Sequence, residues 1–230
     1  MNDRVANGTK TECAALFTGV ILAGGQGARM GGQDKGWVQF QGKPLIQHVL
    51  ERLLPQTSTL LIVANRNLAQ YQALATAQSR TAGGSVTAVA TKIDVVSDQL
   101  TGFQGPLAGI QTALQRIDTP CALVVATDAP FVPRDLLTQL IGRSSLATSL
   151  HTQQLHHPVL VHDGEREQPL FGIYPANLGN PLTHYLLEGH RRLIQWCKDH
   201  DAEWVDFSDQ RAAFTNFNRP EDLEHFTQEE

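Results

Sequence analysis

Apolar residues along this chain fall into two patterns that alternate. Short unbroken runs, Phe17 to Ala23 (FTGVILA), Leu60 to Ala64 (LLIVA) and Cys121 to Ala126 (CALVVA), end in Gly, Asn or Thr-Asp. Runs of this length bounded by turn residues predict strands buried on both faces. A third strand is expected within Val86 to Val96, and Trp37 to Phe40 reads as a short extended piece. Between the runs, apolar positions recur at helical spacing. Leu45, Ile46, Val49, Leu50 and Leu53 share one face, with Pro44 at the first helical position. Leu68 to Ala77 reads as a helix. Pro106 opens another, carrying Leu107, Ile110, Leu114 and Ile117, and Pro133 a further one, carrying Leu136, Leu137, Leu140 and Ile141.

Strands alternating with helices imply parallel βαβ units. The predicted fold is therefore α/β, a Rossmann-like open doubly wound sheet that is mostly parallel. From about Gly142 the pattern changes: Val159 to His162 and Pro169 to Tyr174 read as strands, and Leu182 to Leu187 and Arg191 to Lys198 as helices. This half is expected to be a partly antiparallel C-terminal elaboration. No repeat, linker or low-complexity block separates it, so residues 17–230 read as one domain, with a nucleotide-binding half (17–141) and an acceptor half (142–230). The polar stretch Met1 to Leu16 reads as a loose tail. In such sheets ligands bind beyond the carboxyl ends of the strands. The polar groups at those ends are Gly24 to Lys35, Asn65, Asp98 and Asp128.

Composition narrows the function. The 230 residues are 41% hydrophobic and carry a formal charge of -5, which gives no broad surface for nucleic acid. A phosphorylated substrate must instead meet a local basic site. The N-terminus lacks the apolar core of a signal peptide, and no run of roughly 18 apolar residues could span a bilayer. Cys13, Cys121 and Cys197 are isolated and odd in number, which points to a reducing compartment and a cytoplasmic location.

The most informative segment is Leu22-Ala23-Gly24-Gly25-Gln26-Gly27-Ala28-Arg29-Met30-Gly31-Gly32-Gln33-Asp34-Lys35, which follows a buried strand and holds five glycines and two cations. Glycine lets backbone N–H groups approach and cradle phosphate oxygens, and Arg29 and Lys35 supply positive charge for a triphosphate. A P-loop requires Gly-Lys-Ser/Thr, but Lys35 lies between Asp34 and Gly36. A dinucleotide fingerprint starting at Gly25 would need Gly or Ala at position 30, which is Met.

The segment resembles the signature of nucleotidyltransferases with the nucleotide-diphospho-sugar transferase fold, and most closely the molybdenum cofactor guanylyltransferase (MobA) family. The resemblance continues through QGKPLIQHV (41–49), ANR (64–66), GPLAG (105–109), ATDAP (126–130), HDGER (162–166), VDFSD (205–209) and NFNRPEDL (216–223). It implies in-line attack by a molybdopterin phosphate oxygen on the α-phosphorus of GTP, with pyrophosphate leaving. Leu22, Ala23, Gly24 and Gly25 match the loop that holds base and phosphates. Lys35 matches the lysine on the triphosphate, and Arg29 is the second candidate cation. Asp128 matches the magnesium-binding aspartate, so Mg2+ is the implied cofactor. Asp98 matches a nucleotide-contacting position, while the family asparagine falls on Asn65 or on Val63. Gly109 belongs to a helix start near the guanine. Gly24 stands where cytidylyltransferase relatives carry Ala, which favours guanine.

For the acceptor, the resemblance points to Arg166, Arg191, Arg192, Asn216 and Asn218, each of which is also an ordinary surface or turn residue. His151, His156, His157 and His162 lack the spacing of a zinc site. The implied partners are GTP, molybdenum-molybdopterin, and other cofactor-biosynthesis and molybdoenzyme-maturation proteins, with neither nucleic acid nor membrane. Two other readings stay open: a cytidylyl or sugar-phosphate transferase of the same fold, and a non-catalytic carrier of GTP or the pterin.

Overall fold

A computed structural model describes residues 14–24, 33–81, 92–98, 105–146 and 155–217, apart from the side chains at 80 and 81. The long runs form the central strands: β1 (Phe17–Leu22), β4 (Thr59–Val63), β5 (Lys92–Val96) and β6 (Cys121–Ala126), with the small hairpin β2 (Gln39–Phe40) and β3 (Lys43–Pro44) after β1. Further strands and helices complete the sheet and its cover: α1 (Leu45–Leu53), α2 (Leu68–Thr81), α3 (Pro106–Leu114), α4 (Leu136–Arg143) and, in the second half, β7 (Val159–His162), β8 (Glu167–Pro175), α5 (Gly179–Leu187), α6 (Leu193–Asp199) and β9 (Glu203–Asp206).

The seven-stranded sheet has the order β5-β4-β1-β6-β8-β7-β9. The strands from β5 to β6 pair in parallel, β8 runs antiparallel to both neighbours, and β7 and β9 pair in parallel. The mixed α/β class and the partly antiparallel second half thus agree with the sequence reading. Alternate residues of each central strand face opposite layers. Phe17 and Ile21 of β1 join Ile46, Val49, Leu50 and Leu53 of α1 and Leu136, Leu137 and Leu140 of α4. Val20 joins Leu107, Ile110 and Leu114 of α3 with Leu182, Leu186 and Trp196 of α5 and α6. Burying each such side chain contributes about 1.5–3 kcal/mol, so both faces of the sheet are held and its carboxyl edge becomes a rigid platform.

Some boundaries differ from expectation. Pro44 lies just outside α1 with extended backbone (φ -66, ψ 147), because its carboxyl side still pairs in the β2–β3 hairpin. The extended piece read at Trp37 to Phe40 is present as Val38 and strand β2, but Trp37 itself closes a 3-10 turn over residues 35–37. Helix α4 begins at Leu136, three residues after Pro133. Strand β9 has only four residues, two of them acidic, and gives no apolar run to read.

Candidate active site

Chain order reverses at β1, with β4 on one side and β6 on the other. At such a switch point the following loops diverge and leave a crevice. A cavity of about 370 Å³ opens there, within the range of small-molecule sites. Its wall is built from the carboxyl ends of four parallel strands and the residues just past them: Leu22, Ala23 and Gly24 at β1, Val63 and Asn65 at β4, Asp98 at β5, and Ala126, Thr127 and Asp128 at β6. Gly105, Pro106 and Gly109 add the start of α3, and Lys35 and Leu170 close the sides.

Lys35 and Asp128, 93 positions apart in the chain, meet in this cavity: the Lys35 ammonium donates to Asp128 Oδ2 at 2.9 Å. Both side chains are largely shielded, 19% and 14% exposed. Asp128 is fixed by its strand, and its backbone carbonyl accepts from the Phe217 N–H at 2.9 Å, which brings the C-terminal segment to the same rim.

Asp98 and Asn65 form a reciprocal pair at the other end. Asn65 Nδ2 donates to Asp98 Oδ2 at 2.6 Å, and the Asp98 N–H donates to Asn65 Oδ1 at 2.9 Å. The second carboxyl oxygen, Oδ1, is buried with no donor among the described residues. Burial raises the Asp98 pKa, partly offset by the Asn65 hydrogen bond. Two glycines keep the space beside this carboxyl open. A Cβ on Gly24 would stand 3.0 Å from Asn65 Nδ2, and one on Gly109 would lie 3.6 Å from Asp98 Oδ1. Val63 and Asn65 both line the cavity, so the sequence alternatives at this position share one site.

The acceptor-side residues are placed differently. Arg166 is exposed in the β7–β8 turn, where its backbone N–H donates to Asp163 Oδ1 at 2.7 Å. Arg191 donates to the carbonyls of Leu186 (2.8 Å) and His190 (2.6 Å), so its guanidinium satisfies the carboxyl end of α5. Arg192 precedes α6 and accepts the Trp196 N–H on its carbonyl. Asn216 adjoins Phe217, the residue that bonds Asp128. None of these four lines the cavity. Gly25, Arg29 and Asn218 lie outside the described residues.

Sequence reasoning missed Leu170 and Thr127. Leu170 reaches the cavity because the β7–β8 register shifts between Leu160 and Val161, an irregularity that no local pattern announces. Thr127 sits inside the quoted ATDAP segment, and its hydroxyl is buried without a partner among the described residues.

Comparison with known proteins agrees with this fold. The model of the MobA-like NTP transferase domain matches residues 19–203. A molybdenum cofactor guanylyltransferase of Histophilus somni is 41% identical over 213 residues, covering 93% of this chain and 97% of the relative. The Pasteurella multocida guanylyltransferase is 42% identical over 208 residues, covering 90% and 97%. Among solved structures, molybdopterin-guanine dinucleotide biosynthesis protein A of Archaeoglobus fulgidus superimposes with a TM-score of 0.66 at 24% identity, covering 90% of this chain and 95% of that one. A nucleotidyl transferase of Methanothermobacter thermautotroptrophicus gives 0.64 at 15%, covering 94% and 99%. The chain belongs to the MobA-like NTP transferase family, and within it to the molybdenum cofactor guanylyltransferases.

Proposed function

We propose that this cavity transfers GMP from GTP to the phosphate of molybdenum-molybdopterin, giving the guanine dinucleotide form of the cofactor and pyrophosphate. The observation that carries the reading is the meeting of Lys35 with Asp128 at one end of a cavity whose other end holds an incompletely bonded carboxylate, Asp98. A phosphate monoester has its second pKa near 6, so the attacking oxygen is already ionised at neutral pH. No general base is required. The chain must position two polyanions and neutralise the charge that develops on the leaving pyrophosphate.

In this reading the ammonium of Lys35 turns from Asp128 to the triphosphate oxygens, and the backbone from Leu22 to Gly25 supports the phosphates, with Arg29 as a second cation. Asp128 suits a divalent ion, since its carboxyl already holds a positive charge in the cavity. Magnesium prefers one or two carboxylates together with phosphate oxygens and water. Bound there, Mg2+ would neutralise phosphate charge. Asp98 reads the base. Guanine alone presents N1–H and N2–H side by side, whereas adenine and cytosine place a ring lone pair toward a carboxylate. Asn65 holds Asp98 in position, and the bare edges of Gly24 and Gly109 admit a flat ring. The guanine preference over the cytidylyl alternative rests on this carboxylate. For the acceptor, Arg166, Asn216 and Asn218 stay as candidates, while Arg191 serves its helix end.

Residues 17–230 act as one unit in this reading, with nucleotide and acceptor halves on one sheet. The buried free thiols Cys121 and Cys197 fit a cytoplasmic location, and among the described residues no helix is long and apolar enough to cross a membrane. Proteins that supply the pterin and receive the dinucleotide are the expected partners. The direct test incubates the chain with magnesium, each of the four NTPs, and molybdopterin or a sugar phosphate, and detects product by mass. Guanylated pterin is expected. Turnover of a sugar phosphate without the pterin would reject the assignment, and GTP binding without any transfer would favour the carrier.

A further inference from the structure

Asp34 precedes Lys35 in the chain, so its negative charge starts close to the cation that must meet a polyanion. It is 9% exposed and does not line the cavity. Three donors hold it. Asp34 Oδ1 accepts the Gly36 N–H at 3.1 Å and the Tyr71 hydroxyl at 2.8 Å, and Oδ2 accepts Asn67 Nδ2 at 3.0 Å. The first donor belongs to the 3-10 turn that follows. The other two belong to the connection from β4 and to α2.

That connection is built for the task. Asn67 has φ 52, a left-handed conformation that Asn tolerates better than most side chains, and its carbonyl accepts the Gln70 and Tyr71 N–H groups that open α2. Tyr71 is fully buried, and its ring lies 5.2 Å from that of Trp37, the last residue of the 3-10 turn. The turn passes so close to the hydroxyl that a Cβ on Gly36 would stand 2.3 Å from it. Burial first, and then the charge of Asp34, raises the Tyr71 pKa, so the phenol stays a donor. Asn65, two residues before Asn67, meanwhile holds Asp98. One short connection therefore grips two carboxylates, Asp98 on the cavity wall and Asp34 outside it.

We propose that Tyr71 and Asn67 are positioning residues: by holding the Asp34 carboxylate out of the cavity they leave the Lys35 ammonium to the nucleotide phosphates. This rests on the reading of Lys35 as a triphosphate contact. With these two donors gone, Asp34 keeps the Gly36 N–H, and its carboxylate, one residue from Lys35 in the chain, can swing out to compete with the phosphates for that ammonium.

The test uses Tyr71→Phe, which keeps the ring against Trp37, and Asn67→Gly, which keeps the left-handed backbone, each in the full chain. KM for GTP and kcat are measured well below the melting temperature. A hydrogen bond to a charged group is worth roughly a factor of ten in an equilibrium, so KM for GTP should rise about five- to tenfold in either variant, with kcat changing less. In an Asp34→Asn background the same substitutions should change KM by less than about twofold, because no charge is left to hold. An unchanged KM in both variants, or effects that add to those of Asp34→Asn, would overturn the proposal and leave Tyr71 and Asn67 as packing residues. Failure of the parent chain to turn over GTP is seen in the same assay and removes the function reading itself.

Discussion

Asp98, at the end of β5, and Asp163, in the turn joining β7 to β8, are both drawn away from water, yet their carboxyls shift in opposite directions. Burial is the largest influence on each and pushes both pKa values up. At Asp163 it is overcome. Glu165 N–H (2.8 Å), Arg166 N–H (2.7 Å) and Gln168 Nε2 (2.6 Å) all donate to that carboxyl, Arg211 adds positive charge, and the net result is a lowered value. At Asp98, among the described residues, Asn65 alone opposes burial, and the value stays raised. Equal chemistry thus serves different ends. A carboxylate with donors on both oxygens locks a hairpin, while one kept short of donors stores an unmet demand that a ligand can satisfy.

Four substitutions or conditions would break or sharpen that contrast. The largest effect belongs to the cavity charges. Asp128→Ala should lower turnover by roughly a hundredfold or more at saturating magnesium, and a melting curve should show the fold retained, since the residue anchors the rim through its backbone. Next, Asp98→Asn should raise KM for GTP by about tenfold or more, because a donor replaces an acceptor facing the base. Its melting temperature should not fall, since the burial cost of a charge is removed. A marked loss of stability would place Asp98 with Asp163. The reverse outcome is expected in the hairpin: Asp163→Ala should cost about 1–3 kcal/mol of stability by urea unfolding and leave kcat within about twofold at a permissive temperature.

The smallest effect is a difference in pH dependence. The folded-state pKa of Asp163 is depressed, so its contribution to stability is present above the unfolded value and disappears as pH falls through the folded one. Asp98 has the opposite sign. Its raised value means the folded state pays a cost that grows as pH climbs from the unfolded value, near 4, and is complete above the folded one. The stability of Asp98→Asn relative to the parent should therefore rise between acid and neutral pH, while that of Asp163→Ala falls. Unfolding curves across that range check both slopes.

Much of the frame was legible in the sequence. FTGVILA, LLIVA and CALVVA became β1, β4 and β6 within a residue or so, because a strand buried on both faces needs an unbroken apolar run. Gly24 and Asp128, which line the cavity, were legible for a similar reason: a glycine after a strand and a strand-end carboxylate are chemically conspicuous. Pro44, β9 and Leu170 were not. Their states depend on hairpin pairing, on a parallel neighbour and on a register shift, none of which leaves a periodic trace. Arg191 shows the converse, since a conspicuous cation is taken up by carbonyls at a helix end.

The sequence by itself determined the alternating architecture and which residue types are on hand for the chemistry, because these follow from local periodicity and side-chain character. Only the tertiary structure decided which carboxylates are satisfied. Lys35 with Asp128, Asn65 with Asp98, and Tyr71 with Asp34 are joined across gaps of 93, 33 and 37 positions. Whether a buried aspartate becomes a structural anchor or a binding group depends on how many donors the folded chain brings to it, and that number exists only once distant segments have packed.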